Sequence, residues 1–195
     1  MEYSRQIKKY VLATLAYADL FDYPLTKEEI IKWLVKGGSL SSKHVGNYLD
    51  HANGVIFRNG NYLFLRERVH LTKLRRRRNK EALRKLAYAE KAARFLEILP
   101  TIQLIGVSGS LSMSNTKRGD DIDFFIITKN GTLWVTRLFC VFLLEILRSR
   151  RRPQDKIVRD KVCLNMFVDE NHLATPLSQQ NLFIAHEICQ LKVLL

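Results

Sequence analysis

With 195 residues, 47% of them hydrophobic and 26% charged, the chain has the composition of a globular protein with one large or two small domains. That composition excludes a disordered or collagenous chain, and three cysteines are too few for a disulfide scaffold. The net charge of +13 is concentrated: residues 71–100 carry 10 basic against 3 acidic side chains and residues 149–161 carry 6 against 2. Two short stretches thus hold eleven of the thirteen charges, a distribution that suits a phosphate-rich partner.

Residues 4–20 place Ile7, Val11, Leu12, Leu15, Ala16 and Leu20 at helical spacing, and Pro24 closes that helix. Thr26-Lys27-Glu28-Glu29 reads as a capping box that opens a second helix, expected to run to about Lys36 and stop at Gly37-Gly38. A third helix starts at Ser41 or Ser42, with Val45, Leu49 and Ala52 inward. Beyond Asn53-Gly54, two alternating runs, Val55 to Arg58 and Tyr62 to Leu65, flank Asn59-Gly60, the strongest short signal for a hairpin.

Three helices followed by a hairpin resemble a winged helix-turn-helix, a fold that commonly meets DNA through its third helix and wing. The outward positions of that helix, Lys43, His44, Asn47, Asp50 and His51, are only weakly basic, so protein contact competes with DNA reading as its role.

One long helix is expected from Val69 to Leu99, with Ala82, Leu86, Ala89, Ala93 and Leu96 on its inner stripe and Tyr88, Ala92, Phe95 and Leu99 beside it. Its first turns, with Arg75, Arg76, Arg77 and Arg78, are charged nearly all round and are expected to stay wet, available to RNA or DNA. Ile102–Val107 and Phe124–Ile127 are apolar runs that read as strands. Between them lie Gly109-Ser110, a polar loop with Lys117 and Arg118, and Asp121-Ile122-Asp123. Positions i and i+2 of a strand share a face, so Asp121 and Asp123 project together and repel unless a cation or proton sits between them.

That pattern, an apolar strand, Gly-Ser, a polar loop, then Asp-x-Asp opening a second strand, resembles the nucleotidyltransferase superfamily typified by DNA polymerase beta. The eleven-residue step from Ser110 to Asp121 is similar to that of its minimal members, and the resemblance spans about 102–168. It implies that Gly109 and Ser110 hold the phosphates of an NTP, with Lys117 and Arg118 near them, and that Asp121 and Asp123 bind Mg2+. The family's third carboxylate falls on a later strand, Val162 to Val168. There the alternation sets Cys163, Asn165 and Phe167 on one face, and Asn165 takes the third catalytic position without being able to act as a base. Asp169 and Glu170, just beyond, are the acids nearest to replacing it.

Leu133 to Leu147 is a greasy helix, interrupted by Arg137 and Glu145 and too short to span a bilayer, so it is expected between the sheet and further protein. Ser149-Arg150-Arg151-Arg152-Pro153 forms a basic loop able to reach a triphosphate or nucleic-acid backbone, and a last helix runs from Ser178 to about Lys192. Cys140, Cys163 and Cys189 read as reduced core residues, and the first residues lack the order of a signal peptide, so a cytoplasmic protein with no membrane partner is expected.

The expected fold class is therefore α/β in the α+β sense: a winged-helix-like domain over 1–68, a basic linker helix over 69–100 and a small mixed-sheet nucleotidyltransferase-like domain over 101–195. The implied reaction moves a nucleoside monophosphate from an NTP to an acceptor hydroxyl, on a nucleic acid or a protein. The alternative is a weak or inactive transferase domain that serves as a nucleic-acid-binding regulator or as an interaction module of toxin–antitoxin type.

Overall fold

The computed structural model describes residues 2–36, 40–52, 54–174 and 181–195. It is a mixed α/β chain with two sheets, divided into two compact units, 1–77 and 78–195. Gly37-Gly38, Asn53 and the expected helix start at Ser178 lie outside the described residues.

In the first unit, α1 (Glu2–Asp19) buries Ile7, Val11 and Leu15 and leaves Leu20, beyond its end, 78% exposed. Strand β1 (Leu25–Thr26) leads into α2 (Lys27–Lys32), whose capping box is complete. The Glu29 amide donates to Thr26 Oγ1 at 3.2 Å and the Thr26 amide to Glu29 Oε2 at 2.9 Å, an arrangement that typically stabilises a helix start by about 1 kcal/mol. Helix α2 ends at Lys32, four residues earlier than the expected Lys36. Helix α3 (Ser42–Asp50) buries Val45 and Leu49, and strands β2 (Ile56–Asn59) and β3 (Tyr62–Leu65) form an antiparallel hairpin with β1 on the far side of β3. Asn59 pairs with Tyr62, so the two loop residues are Gly60 and Asn61, with Gly60 at φ +59°, where a type II′ turn needs glycine.

Helix α4 (His70–Leu96) contributes its first turns to the first unit and the rest to the second. Its first turns are not wet all round. Arg75 and Arg78 fall on the same inward stripe as Leu71 and Ala82, at steps of four, three and four, and both are 7% exposed. Arg75 stacks on Tyr23 at 3.6 Å and pairs with Glu29 at 2.7 Å, and burial drops its guanidinium to about 9. Only Arg76 and Arg77 of the four stay exposed.

The second unit centres on a four-stranded sheet in the order β6-β5-β4-β7. Strands β4 (Ile102–Val107) and β5 (Ile122–Thr128) run antiparallel, β6 (Val162–Asp169) is parallel to β5, and the short β7 (Lys192–Val193) edges β4. One face carries the core, where Ile105, Val107, Ile122, Phe124 and Ile126 pack with Ala82, Ala89, Ala93 and Leu96 of α4. Burying each larger side chain there contributes about 1.5–3 kcal/mol. Helix α6 (Leu133–Ile146) adds Cys140 and Leu144 to that core but covers it with one side only. Trp134, Val135, Leu138, Phe139, Phe142 and Ile146 are exposed, so the further protein expected over this helix is not among the described residues. The last helix, α7 (Leu182–Cys189), ends three residues before the expected Lys192, where β7 begins. Among the described residues no helix is long and apolar enough to cross a membrane.

Candidate functional site

Strand β5 alternates regularly: Ile122, Phe124, Ile126 and Thr128 are buried, and Asp123, Phe125 and Ile127 leave by the opposite face. Beside β5 on one side, β4 ends and the chain turns at Gly109 into the single turn of α5 (Gly109–Ser112). Gly109 has φ +63°, a conformation costly to any residue with a side chain, and a β-carbon there would lie 3.3 Å from Asp123 Oδ2. The Gly-Ser turn and the second aspartate are thus in contact. Ser108, just before it, stands across from Asp123, its amide donating to the Asp123 carbonyl at 3.0 Å.

On the other side of β5 the residue opposite Asp123 is Cys163, not Asn165. The β5–β6 register slips between that pair and the next, Phe125 with Met166, because β6 carries one extra residue there. A slip of one residue exchanges faces. Cys163 therefore shares the face of Asp123 while Phe167, opposite Ile126, packs against the core, and the three residues expected on one face are divided. Asn165 lies in the slipped stretch and is exposed. Asp169 and Glu170 are at the far end of the strand pair, where Asp169 sits opposite Thr128, five residues or roughly 16 Å along from Asp123. Their carboxylates accept from the Gly131 and Asn130 amides at 2.7 and 2.9 Å, so they brace a turn and do not replace a third acid.

Asp121, Asp123 and Cys163 each offer a donor atom within 4.8 Å of the others. Burial, and then the charge of Asp121, push the Asp123 carboxyl from its ordinary 3.8 up to about 6. Arg151 Nη1 lies 2.6 Å from Asp121 Oδ2 and 3.8 Å from Cys163 Sγ. The neighbouring arginines are engaged as well, with Arg150 and Arg152 on Glu145 at 2.7 and 2.6 Å, which holds that carboxylate down to about 2. The basic loop is therefore closed on acids of its own unit. Lys117 and Arg118 are exposed, and the Lys117 amide donates to Asp120 Oδ2 at 2.7 Å.

Three supports were not visible in the sequence pattern. Lys85 occupies a core position of α4, fully buried, with its ammonium on the Asp120 carbonyl and 2.9 Å from Asp160 Oδ1. Arg84 grips Asp160 with both terminal nitrogens, at 2.7 and 2.9 Å, and although burial opposes it, these cations hold the Asp160 carboxyl down to about 2. Burial raises the Glu187 carboxyl of α7, with the nearby Gly109 amide opposing it, so a carboxylate stands close to the turn to which phosphate was assigned. A lysine at helical core spacing was the available signal for the first; the placement of Glu187 is tertiary and left none.

No protein-family model, curated protein or solved structure matches this chain.

Proposed function

We propose that the second unit is a nucleotidyltransferase-like domain that moves a nucleoside monophosphate from an NTP to an acceptor hydroxyl. The observation that carries this reading is the contact between the Gly109 turn and the Asp123 carboxylate, at the junction of an antiparallel and a parallel strand pair. In the reaction a bond forms between the acceptor oxygen and the α-phosphorus, the bond to the β-phosphate bridge breaks, and pyrophosphate leaves. Asp121 and Asp123, with Cys163 beside them, would hold a divalent ion such as Mg2+, which supplies Lewis-acid activation and neutralises developing charge when bound. The Gly109-Ser110 backbone receives phosphate oxygens, with the nearby Glu187 carboxylate giving way, and Arg151, released from Asp121, pairs with the triphosphate.

The first unit supports a winged-helix reading through its order of helices, its hairpin and the pairing of β1 with β3. RNA or DNA binding then falls to exposed Arg76 and Arg77 with Lys73.

A second reading, a regulator whose transferase domain is inactive, is favoured by one observation: the residue facing Asp123 from β6 is a cysteine and supplies no third carboxylate. Incubation with α-labelled NTPs, Mg2+ and a cell extract separates the two. Labelled product that disappears in Asp121→Asn supports transfer; NTP binding without product supports the regulator; neither binding nor product overturns the site assignment.

A further inference from the structure

We infer that this site takes a divalent ion with affinity for sulfur, of the Zn2+ class, held by Asp121, Asp123 and the thiolate of Cys163, in preference to Mg2+. The inference rests on reading the acid pair as a metal seat and adds which ion that seat selects. Around a tetrahedral zinc ion, with bonds near 2.3 Å to sulfur and 2.0–2.2 Å to oxygen, neighbouring donors lie about 3.5 Å apart. The three donor atoms lie within 4.8 Å of one another, so an inward adjustment of roughly 1 Å, within reach of side-chain rotation, lets one ion touch all three.

Two further observations point to a cation at this spot. Arg151 already places a positive group between the same partners, 2.6 Å from the Asp121 carboxylate and 3.8 Å from the Cys163 sulfur. Ser108 is 5% exposed, and its hydroxyl has no hydrogen-bond partner among the described residues. Continuing the β4–β5 register one residue past Val107 and Phe124 sets Ser108 opposite Asp123, and opposed residues share a face of the sheet. A buried oxygen in that position is suited to an ion or an ion-bound water.

Sulfur decides which ion. Mg2+ requires a near-octahedral shell of oxygens and gives up its waters reluctantly, whereas thiolate ligands favour zinc and other softer ions. Binding forms one sulfur–metal bond and releases the thiol proton to solvent.

Cobalt(II) tests this on the full chain, because a thiolate ligand produces a sulfur-to-cobalt charge-transfer band. The band is expected to appear on titration, to be erased by equimolar Zn2+ and to survive a large excess of Mg2+. Cys163→Ser should abolish it and weaken Co2+ binding at least as much as the roughly tenfold that loss of an outer partner costs. Cys189→Ser, which removes an exposed thiol, should leave it unchanged. If Cys163→Ser folds poorly, Zn2+ protection of Cys163 from alkylation, mapped in the wild-type chain, gives the same answer. Co2+ bound without the band, a band that persists in Cys163→Ser, absence of protection, or displacement by equimolar Mg2+ each overturns the inference and leaves the acid pair as a metal seat. Failure of every divalent ion to bind the wild type removes that seat as well.

Discussion

The α-carbon of Gly109 faces the carboxylate of Asp123 so closely that a methyl group on it would stand 3.3 Å from Oδ2. Gly109→Ala meets two penalties there, the left-handed backbone at φ +63° and the approach to a half-buried carboxylate. It should destabilise the second unit by about 1–2 kcal/mol in urea unfolding, and it should weaken divalent-ion binding. Gly119→Ala, with open space around it, is the control and should change neither.

Asp123 ties stability to pH. Its carboxyl is raised from 3.8 to about 6, so between those values the folded chain holds a proton that the unfolded chain has released. Stability should therefore fall as pH rises from 4 to 6, and the deficit should be complete at pH 7. Asp123→Asn is expected to raise the melting temperature at pH 7, to change it little near pH 4, and to flatten the slope between. A melting temperature lowered at pH 7 would show that the carboxylate is held by more than its neighbours here provide.

The four consecutive arginines should divide by role. Arg76→Gln with Arg77→Gln is expected to weaken RNA or DNA binding and flatten its salt dependence, with the melting temperature unchanged. Arg75→Gln instead removes the partner of Glu29, a carboxylate already raised by burial, and should cost about 3 kcal/mol in the first unit. Equal effects of the two substitutions on binding would reject the division.

Lys85 carries the loop that presents the acids. Lys85→Met leaves the Asp120 carbonyl without its ammonium and Asp160 with one cation fewer, at an expected cost of about 3 kcal/mol. Amide exchange over 117–123 should quicken more than exchange across β4. Uniform quickening would make Lys85 a general core residue and not a brace for the loop.

Much of this arrangement was legible because it is local. The capping box at Thr26 and Glu29, the β4 boundaries and the buried stripe Ala82, Leu86, Ala89, Ala93 and Leu96 each follow from periodicity or adjacent chemistry. The proximity of Asp121 and Asp123 follows from two-residue alternation. What escaped was set by pairing. One extra residue in β6 after Cys163 left Asn165 out of register and parted Cys163 from Phe167, and alternation within a single strand cannot reveal a slip against its neighbour. Charge runs misled for a related reason, since arginines in a row look alike until the helix turns Arg75 and Arg78 inward.

The bare face of α6 sets a limit on the solutions this protein tolerates. Trp134, Leu138 and Phe142, spaced four apart and each more than 60% exposed, form a greasy ridge on a chain whose net charge is +13. Mutual repulsion keeps two such ridges apart in dilute buffer, but the screening length shrinks to about 10 Å at 0.1 M salt and about 3 Å at 1 M. The concentrated salt used to strip nucleic acid from a basic protein therefore also removes the barrier to clumping, and strongly excluded anions such as sulfate tighten the apolar contact further. Purification of this chain is therefore expected to have a narrow window of ionic strength, and light scattering that stays flat from about 0.1 M to 1 M salt would refute it.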